Sequence, residues 1–379
     1  MLFIEGHRQG VPLHTDAGRG GSVARFARLD GAFLLQTVVP LLLIFLGAAG
    51  LAADRESGRL KLLLVQGGNA RAILGGHFLI LWTLALVLLL VVVTTSLLTS
   101  AVMGGGEPPP FGRLGMLLLT HALFFAVVAA ASVAATVWFD SARGALLALL
   151  AGWVVATVLL PRATAGVAGT LYPLPSQDVF QAEMQAARQA GPDGHNPEDA
   201  ELERLQAALL AEHGVETVEE LPMNFDGIAM QVDEEFGNQV WDEHYGRLRD
   251  QLRRQGTVGS AMAILNPFQA VDHISMALAG TDLAHDLAFQ AQAEGFRRTL
   301  VEALNREHAY GGSKTGDWSW EAPPEFFAAL PAYEHASPAL ATALRPRVPD
   351  LTGLVLWLAG LLIAMRTGAS RLERGQLMC

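Results

Sequence analysis

A single cysteine, Cys379, stands in a chain of 379 residues. One thiol cannot close an internal disulfide or supply a Cys-pair metal site, so any extracytoplasmic domain must be stable without bridges. The ending Gln-Leu-Met-Cys is not a prenylation box. Charge is also scarce, at 17% of residues, against about 25% in soluble domains. Residues 1–30 lack the apolar core and cleavage site of a secretory signal, so insertion is expected to rely on the membrane segments themselves. The charge balance is most negative between residues 162 and 350, where 13 Lys/Arg face 29 Asp/Glu for a net of −16. That balance argues against nucleic acid or anionic lipid as a partner.

What the chain has instead is apolar length. Hydrophobic residues make up 51% and the mean hydropathy is +0.32. A spanning helix takes about 20 apolar residues, and five stretches qualify: Gly31–Ala53, Ile73–Met103, Leu114–Phe139, Ala145–Leu160 and the shorter Leu351–Met365. Pro40 lies inside the first, which membrane helices tolerate, and Pro161-Arg162 is expected to close the fourth. Gly104–Pro110 and Asp140–Gly144 read as turns. Snorkelling by Arg366 and a thinned bilayer would let the fifth reach across.

The insert between spans four and five shows little strand alternation, which points to an all-α protein. Helices are expected over Gln177–Ala190, from Pro197-Glu198-Asp199 to His213 with Gly214 as C-cap, over Gly227–Arg254, over Pro267–Ala279, and from a Thr281 cap to His308. Gly311–Pro324 reads as a loop, and no internal repeat is present.

Between spans one and two, acids open a run of leucines that carries Arg59 and Lys61: Asp54-Arg55-Glu56-Ser57-Gly58-Arg59-Leu60-Lys61-Leu62-Leu63-Leu64-Val65-Gln66-Gly67-Gly68-Asn69-Ala70-Arg71. Its pattern is a short amphipathic helix at the membrane surface, at its plainest an anchor between two spans. The arginines and lysines flanking the spans divide eight against eight, so they do not orient the chain; the four charges of this loop favour it as the cytoplasmic side.

The same segment resembles the coupling segment of type-2 ABC permeases, in which Glu-Arg-Glu-x-Gly-Thr-Leu precedes a leucine pair and a Pro-Val-Ser-Arg turn. Glu56, Gly58, Leu60, Leu63 and Arg71 match; Asp54 stands for the first Glu, Arg59 for Thr, and Gly67-Gly68-Asn69 for the proline turn. Leu221–Gly227, Ser275–Asp282, Ala293-Glu294 and Arg297-Arg298 are similar to the large outward domain of one subgroup, a domain of no assigned function. That subgroup begins with a further span, which is missing here, and residues 1–30 would be what remains of an outward segment. The resemblance implies a permease in the plasma (cytoplasmic or inner) membrane, with the 54–71 loop inside and residues 162–350 outside. Two such chains would work with two separate ABC ATPase subunits, more often as an exporter. Coupling contacts would come from Asp54, Arg55, Glu56, Gly58, Arg59, Leu60, Leu63, Leu64 and Arg71. The competing expectation is an anchored extracytoplasmic sensor or scaffold without transport.

Chemistry is thinly signalled. Gly311-Gly312-Ser313-Lys314-Thr315 lacks the glycine before lysine and the preceding strand of a phosphate-binding loop, so no nucleotide cofactor is expected, and ATP hydrolysis belongs to a partner. Asp242-Glu243-His244, Asp272-His273 and His285-Asp286 pair histidines with acids, without the spacing of a metal site. Gly259-Ser260-Ala261 is not a nucleophile elbow. Within the spans, His77 is expected near an interface. His121 lines a substrate path or makes a helix–helix hydrogen bond.

Overall fold

The computed structural model describes residues 30–103, 110–139, 141–192, 199–317 and 319–376. The N-terminal segment and the 104–109 turn expected from the sequence lie outside them. Among the described residues there are helices and no strands, and five helical stretches are long and apolar enough to cross a membrane: Gly31–Arg55, Ala70–Val102, Phe111–Trp138, Ala142–Leu171 and Leu340–Glu373. This is the build of a multi-pass, all-α membrane protein.

The chain divides into two compact units. Among the described residues, the apolar unit comprises 30–103, 110–139, 141–171, 254–285 and 338–376. Its first span ends as α1 (Val39–Glu56), and the loop helix α2 (Arg59–Val65) leads to α3 (Ala70–Val102). Then come α4 (Phe111–Trp138), α5 (Ala142–Val154) and α6 (Leu160–Leu171). The α4 helix is the centre, packed on α1, α3 and α5 and on two later helices introduced below. Its buried run is made of small residues and two phenylalanines, including Phe124, Phe125, Ala129, Ala130 and Val133. Small side chains matter because lipid is as apolar as leucine, so close van der Waals fit must hold the helices together. A Cβ on Gly47 of α1 would stand 2.6 Å from Ser132 Cβ on α4, and backbones approach there because glycine has none.

Two spans carry a proline and a π-turn together. In the first, Leu34–Val38 is a π-turn closed by Val39 N–H donating to Leu34 O, immediately before Pro40. In the fourth, Val155–Leu159 is closed by Leu160 N–H to Val155 O, immediately before Pro161. The widened turn absorbs the missing proline donor and the clash of its ring with the preceding turn. Pro161 therefore does not end the helix as the sequence suggests, and α6 continues to Leu171. In this register the proline leaves the Ala156 carbonyl without a backbone donor. Asn266 Nδ2 supplies one at 2.7 Å, while its Oδ1 accepts from Phe268 N–H and caps the next helix.

That helix, α10 in chain order (Pro267–Ala279), packs against α4 and the last span. Three helices come before it: α7 (Gln177–Gln189), α8 (Ala200–His213) and α9 (Phe225–Ala263). Four follow: α11 (Leu283–Tyr310), α12 (Pro324–Ala329), α13 (Leu340–Leu344) and α14 (Val348–Gln376). At 13 residues, α10 is too short to span, and such lengths suit a buried helix. Residues 254–285 and 338–350 thus join the apolar helices, whereas the sequence boundaries grouped them with the insert. The α14 helix runs well past Met365, because Gly368 meets Val137 of α4 closely and Ala369 is fully buried.

Among the described residues, the second unit comprises 172–192, 199–253, 286–317 and 319–337. Asp199 caps α8 by accepting from Glu201 and Leu202 N–H, and Gly214 ends it in the left-handed region at φ 64°. The α9 helix exceeds its expected bounds at both ends. The cap of α11 is Asp282, whose Oδ1 accepts from His285 N–H at 3.1 Å. Thr281, expected in that role, donates instead to Met276 O at 3.5 Å.

Candidate functional site

The 54–71 loop forms two tight turns around one short helix. Gly58, at φ 75°, admits the left-handed turn that starts α2. At the other end Gly67 has φ 88°, and a Cβ on Gly68 would stand 2.6 Å from Leu63 O, whose carbonyl accepts from Gly68 N–H at 2.9 Å. The double glycine therefore performs the reversal without proline. Asn69 then caps α3, accepting from Arg71 N–H at 2.8 Å and Ala72 N–H at 3.3 Å.

The leucines divide by helical spacing. Leu60 is buried and Leu64, one turn on, packs against the same core. Leu63 is 40% exposed, Leu62 57% and Val65 73%. Lys61 and Arg59 are exposed beside them. The free face is thus basic and apolar, formed by Lys61, Leu62, Leu63 and Val65. Leu60, Leu63 and Leu64 are all expected coupling contacts from the sequence. The structure turns two of these inward and leaves one out. Leu62 and Val65 were missed because a run of leucines looks alike on every face.

The charged residues fasten this loop to its neighbours. Asp54 pairs with Arg59 at 3.1 Å and with His77 Nε2 at 3.4 Å. Arg55 Nη1 donates to Thr136 O at 3.2 Å and Phe139 O at 2.9 Å, covering carbonyls at the end of α4. Ala70 N–H donates to Glu373 Oε1 at 3.2 Å, and Arg71 Nη2 reaches Ser370 Oγ at 3.4 Å, both on α14. Of the expected contact residues, Asp54, Arg55, Leu60, Leu64 and Arg71 are engaged within the chain, Arg59 is exposed but paired with Asp54, and Leu63 faces out. The side chain of Glu56 lies outside the described residues.

Elsewhere, His121 is buried on α4, where its Nδ1–H donates to Leu117 O of its own helix at 3.0 Å. Its Nε2 is buried without a hydrogen-bond partner. The histidines of the insert pair away from their sequence neighbours: His273 with Asp350 at 2.9 Å, His285 with Asp282 at 2.5 Å, and His244 with Arg247 at 3.2 Å. His195 lies outside the described residues. Among the described residues no three metal-ligating side chains come together. Ser260 Oγ accepts from Arg347 at 3.4 Å.

In the second unit, Asn224 is fully buried and holds the glycine-rich loop. Its Nδ2 donates to Ser313 Oγ at 2.8 Å and Lys314 O at 2.9 Å, while Phe225 N–H donates to Thr315 Oγ1 at 3.0 Å. Asp226 Oδ2 accepts from Gly316 N–H at 2.7 Å. A Cβ on Gly227 would meet Ala309 N at 2.5 Å, so glycine lets α9 and α11 touch. These contacts give the Leu221–Gly227 segment a structural task. The Ala293–Arg298 segment has one too: buried Arg297 binds Glu294 and Glu234, and Arg298 grips Asp242.

Residues 180–329 match a family model described as a domain of unknown function, DUF3526. No curated protein and no solved structure matches the chain.

Proposed function

We propose that this chain is the membrane-spanning permease subunit of an ATP-driven ABC transporter of the type-2 family, an exporter energised by a separate ATPase subunit. The observation that carries the reading is the α2 helix, which offers Lys61, Leu62, Leu63 and Val65 to a partner while its other face is packed and its ends are fastened. A docking element must pass force on, and the Arg55 link to α4 and the Glu373 link to α14 join this one to two spans. In the proposal the loop lies on the cytoplasmic side of the inner membrane, and closure of an ATPase pair pushes α2 and rocks the spans between inward-open and outward-open states. Residues of the second unit lie outside. Apolar side chains on the outer surface of the fourth span, such as Leu147, Val155 and Leu159, are exposed and would meet lipid or a second permease copy.

The test is affinity capture of the detergent-solubilised chain from its native membrane, with and without Leu62→Asp/Leu63→Asp. Recovery of an ATPase that this variant loses supports the reading. A folded chain that brings down no ATPase overturns it. The second reading would then stand: an anchored extracytoplasmic sensor or scaffold, favoured by the separate compactness of the insert unit.

A further inference from the structure

Beyond the Ser313-Lys314 turn that Asn224 pins, residues 320–327 and the last turns of α11 enclose a cleft of about 390 Å³. Glu307, His308, Trp320, Glu321, Phe326 and Phe327 line it. Its aromatic groups are held in edge contacts. The His308 and Trp320 rings lie 5.9 Å apart at 61°, and those of Phe326 and Phe327 lie 5.4 Å apart at 75°. Phe327 is 54% exposed.

Charge gives the cleft its selectivity. Two carboxylates, Glu307 and Glu321, lie on the lining beside the His308 imidazole, and none of the lining residues is Lys or Arg. Asp317 and Glu325 flank it in a stretch from 317 to 327 without Lys or Arg. Gly311 leaves room for Glu307, since a Cβ there would stand 2.6 Å from its Oε1. Aromatic faces beside carboxylates attract a cation whose own surface is apolar, because the ring quadrupole favours positive charge and the methyl groups fill the cleft. An anion would be repelled by both glutamates, and a neutral apolar molecule would gain nothing from them.

We propose that this cleft binds a small organic cation of the alkylammonium class, independently of the transport reading. The test uses the full-length chain in neutral maltoside micelles, titrated with choline and with its uncharged isostere 3,3-dimethylbutan-1-ol by saturation-transfer NMR. Choline is expected to bind saturably and about tenfold tighter than the isostere, with Trp320→Ala weakening choline about tenfold. Glu321 is exposed, so Glu321→Gln keeps the fold, checked by an unchanged melting temperature, and still weakens choline. Equal binding of the two probes, no saturable choline binding, or full choline affinity in the Glu321→Gln chain would each overturn the proposal.

Discussion

The side-chain amide of Asn266 donates at 2.7 Å to the carbonyl of Ala156, the acceptor that Pro161 leaves without a backbone donor. One residue thereby repairs the fourth span and caps α10. Asn266→Ala removes both contacts and leaves a part-buried carbonyl unsatisfied, at a cost of about 1–3 kcal/mol from the cap and the orphaned acceptor together. The melting temperature of the solubilised chain reads this. Because the proline created the need, Pro161→Ala in the Asn266→Ala background should recover part of the loss; a double variant no more stable than Asn266→Ala would contradict the link.

The leucines of α2 should separate stability from partner binding. Leu60→Ala empties a buried site and is expected to cost about 2–5 kcal/mol. Leu63→Ala removes an exposed side chain and should stay within about 0.5 kcal/mol. Under the proposed function the order reverses for ATPase capture, measured per folded molecule: Leu63→Ala and Leu62→Ala weaken it, and Arg55→Gln does so only as far as it unfolds the loop.

The Gly67-Gly68 reversal should resist substitution for two different reasons. Gly67→Ala strains a backbone at positive φ by about 1 kcal/mol. Gly68→Ala drives a methyl into the Leu63 carbonyl, 2.6 Å away, and must open the turn. Limited proteolysis between residues 58 and 70 is expected to accelerate for both and more for Gly68→Ala.

In the insert, Arg298 binds Asp242 through two hydrogen bonds of 2.9 and 2.8 Å. The guanidinium holds the Asp242 carboxyl below the ordinary carboxylate range. A carboxyl with a depressed folded pKa stabilises the fold above its unfolded value of about 3.9, and that contribution disappears as pH falls through the lower folded value. The melting temperature of the native chain should therefore exceed that of Asp242→Asn at neutral pH, and the gap should close below about pH 4. A gap unchanged from pH 7 to 3 would remove the ion pair from the account.

The existence of the spans was legible because apolar length is a local property. Their ends were not. Pro161 reads as a stop only if the helix stays α, and a π-turn lets the chain continue. Leu351–Met365 looked short because Gly368 and Ala369 read as neutral, whereas they are buried against α4. The glycine C-cap was legible at Gly214, because the left-handed turn it makes is a local property. Asp282 lost out to Thr281 in the reading because both are good caps one residue apart, and the contact with His285 decides between them. In the loop, the placement of α2 could be read but its facing could not. The contacts of Arg55 were not legible, because their partners lie 81 and 84 residues away in sequence.

Affinity capture from the native membrane, comparing the unaltered chain with Leu62→Asp/Leu63→Asp at matched folding, tests the central claim most directly. The account predicts that an ATPase copurifies with the unaltered chain and is lost from the variant. An ATPase held equally by both would place the docking surface elsewhere, and none held by either would contradict the permease role itself.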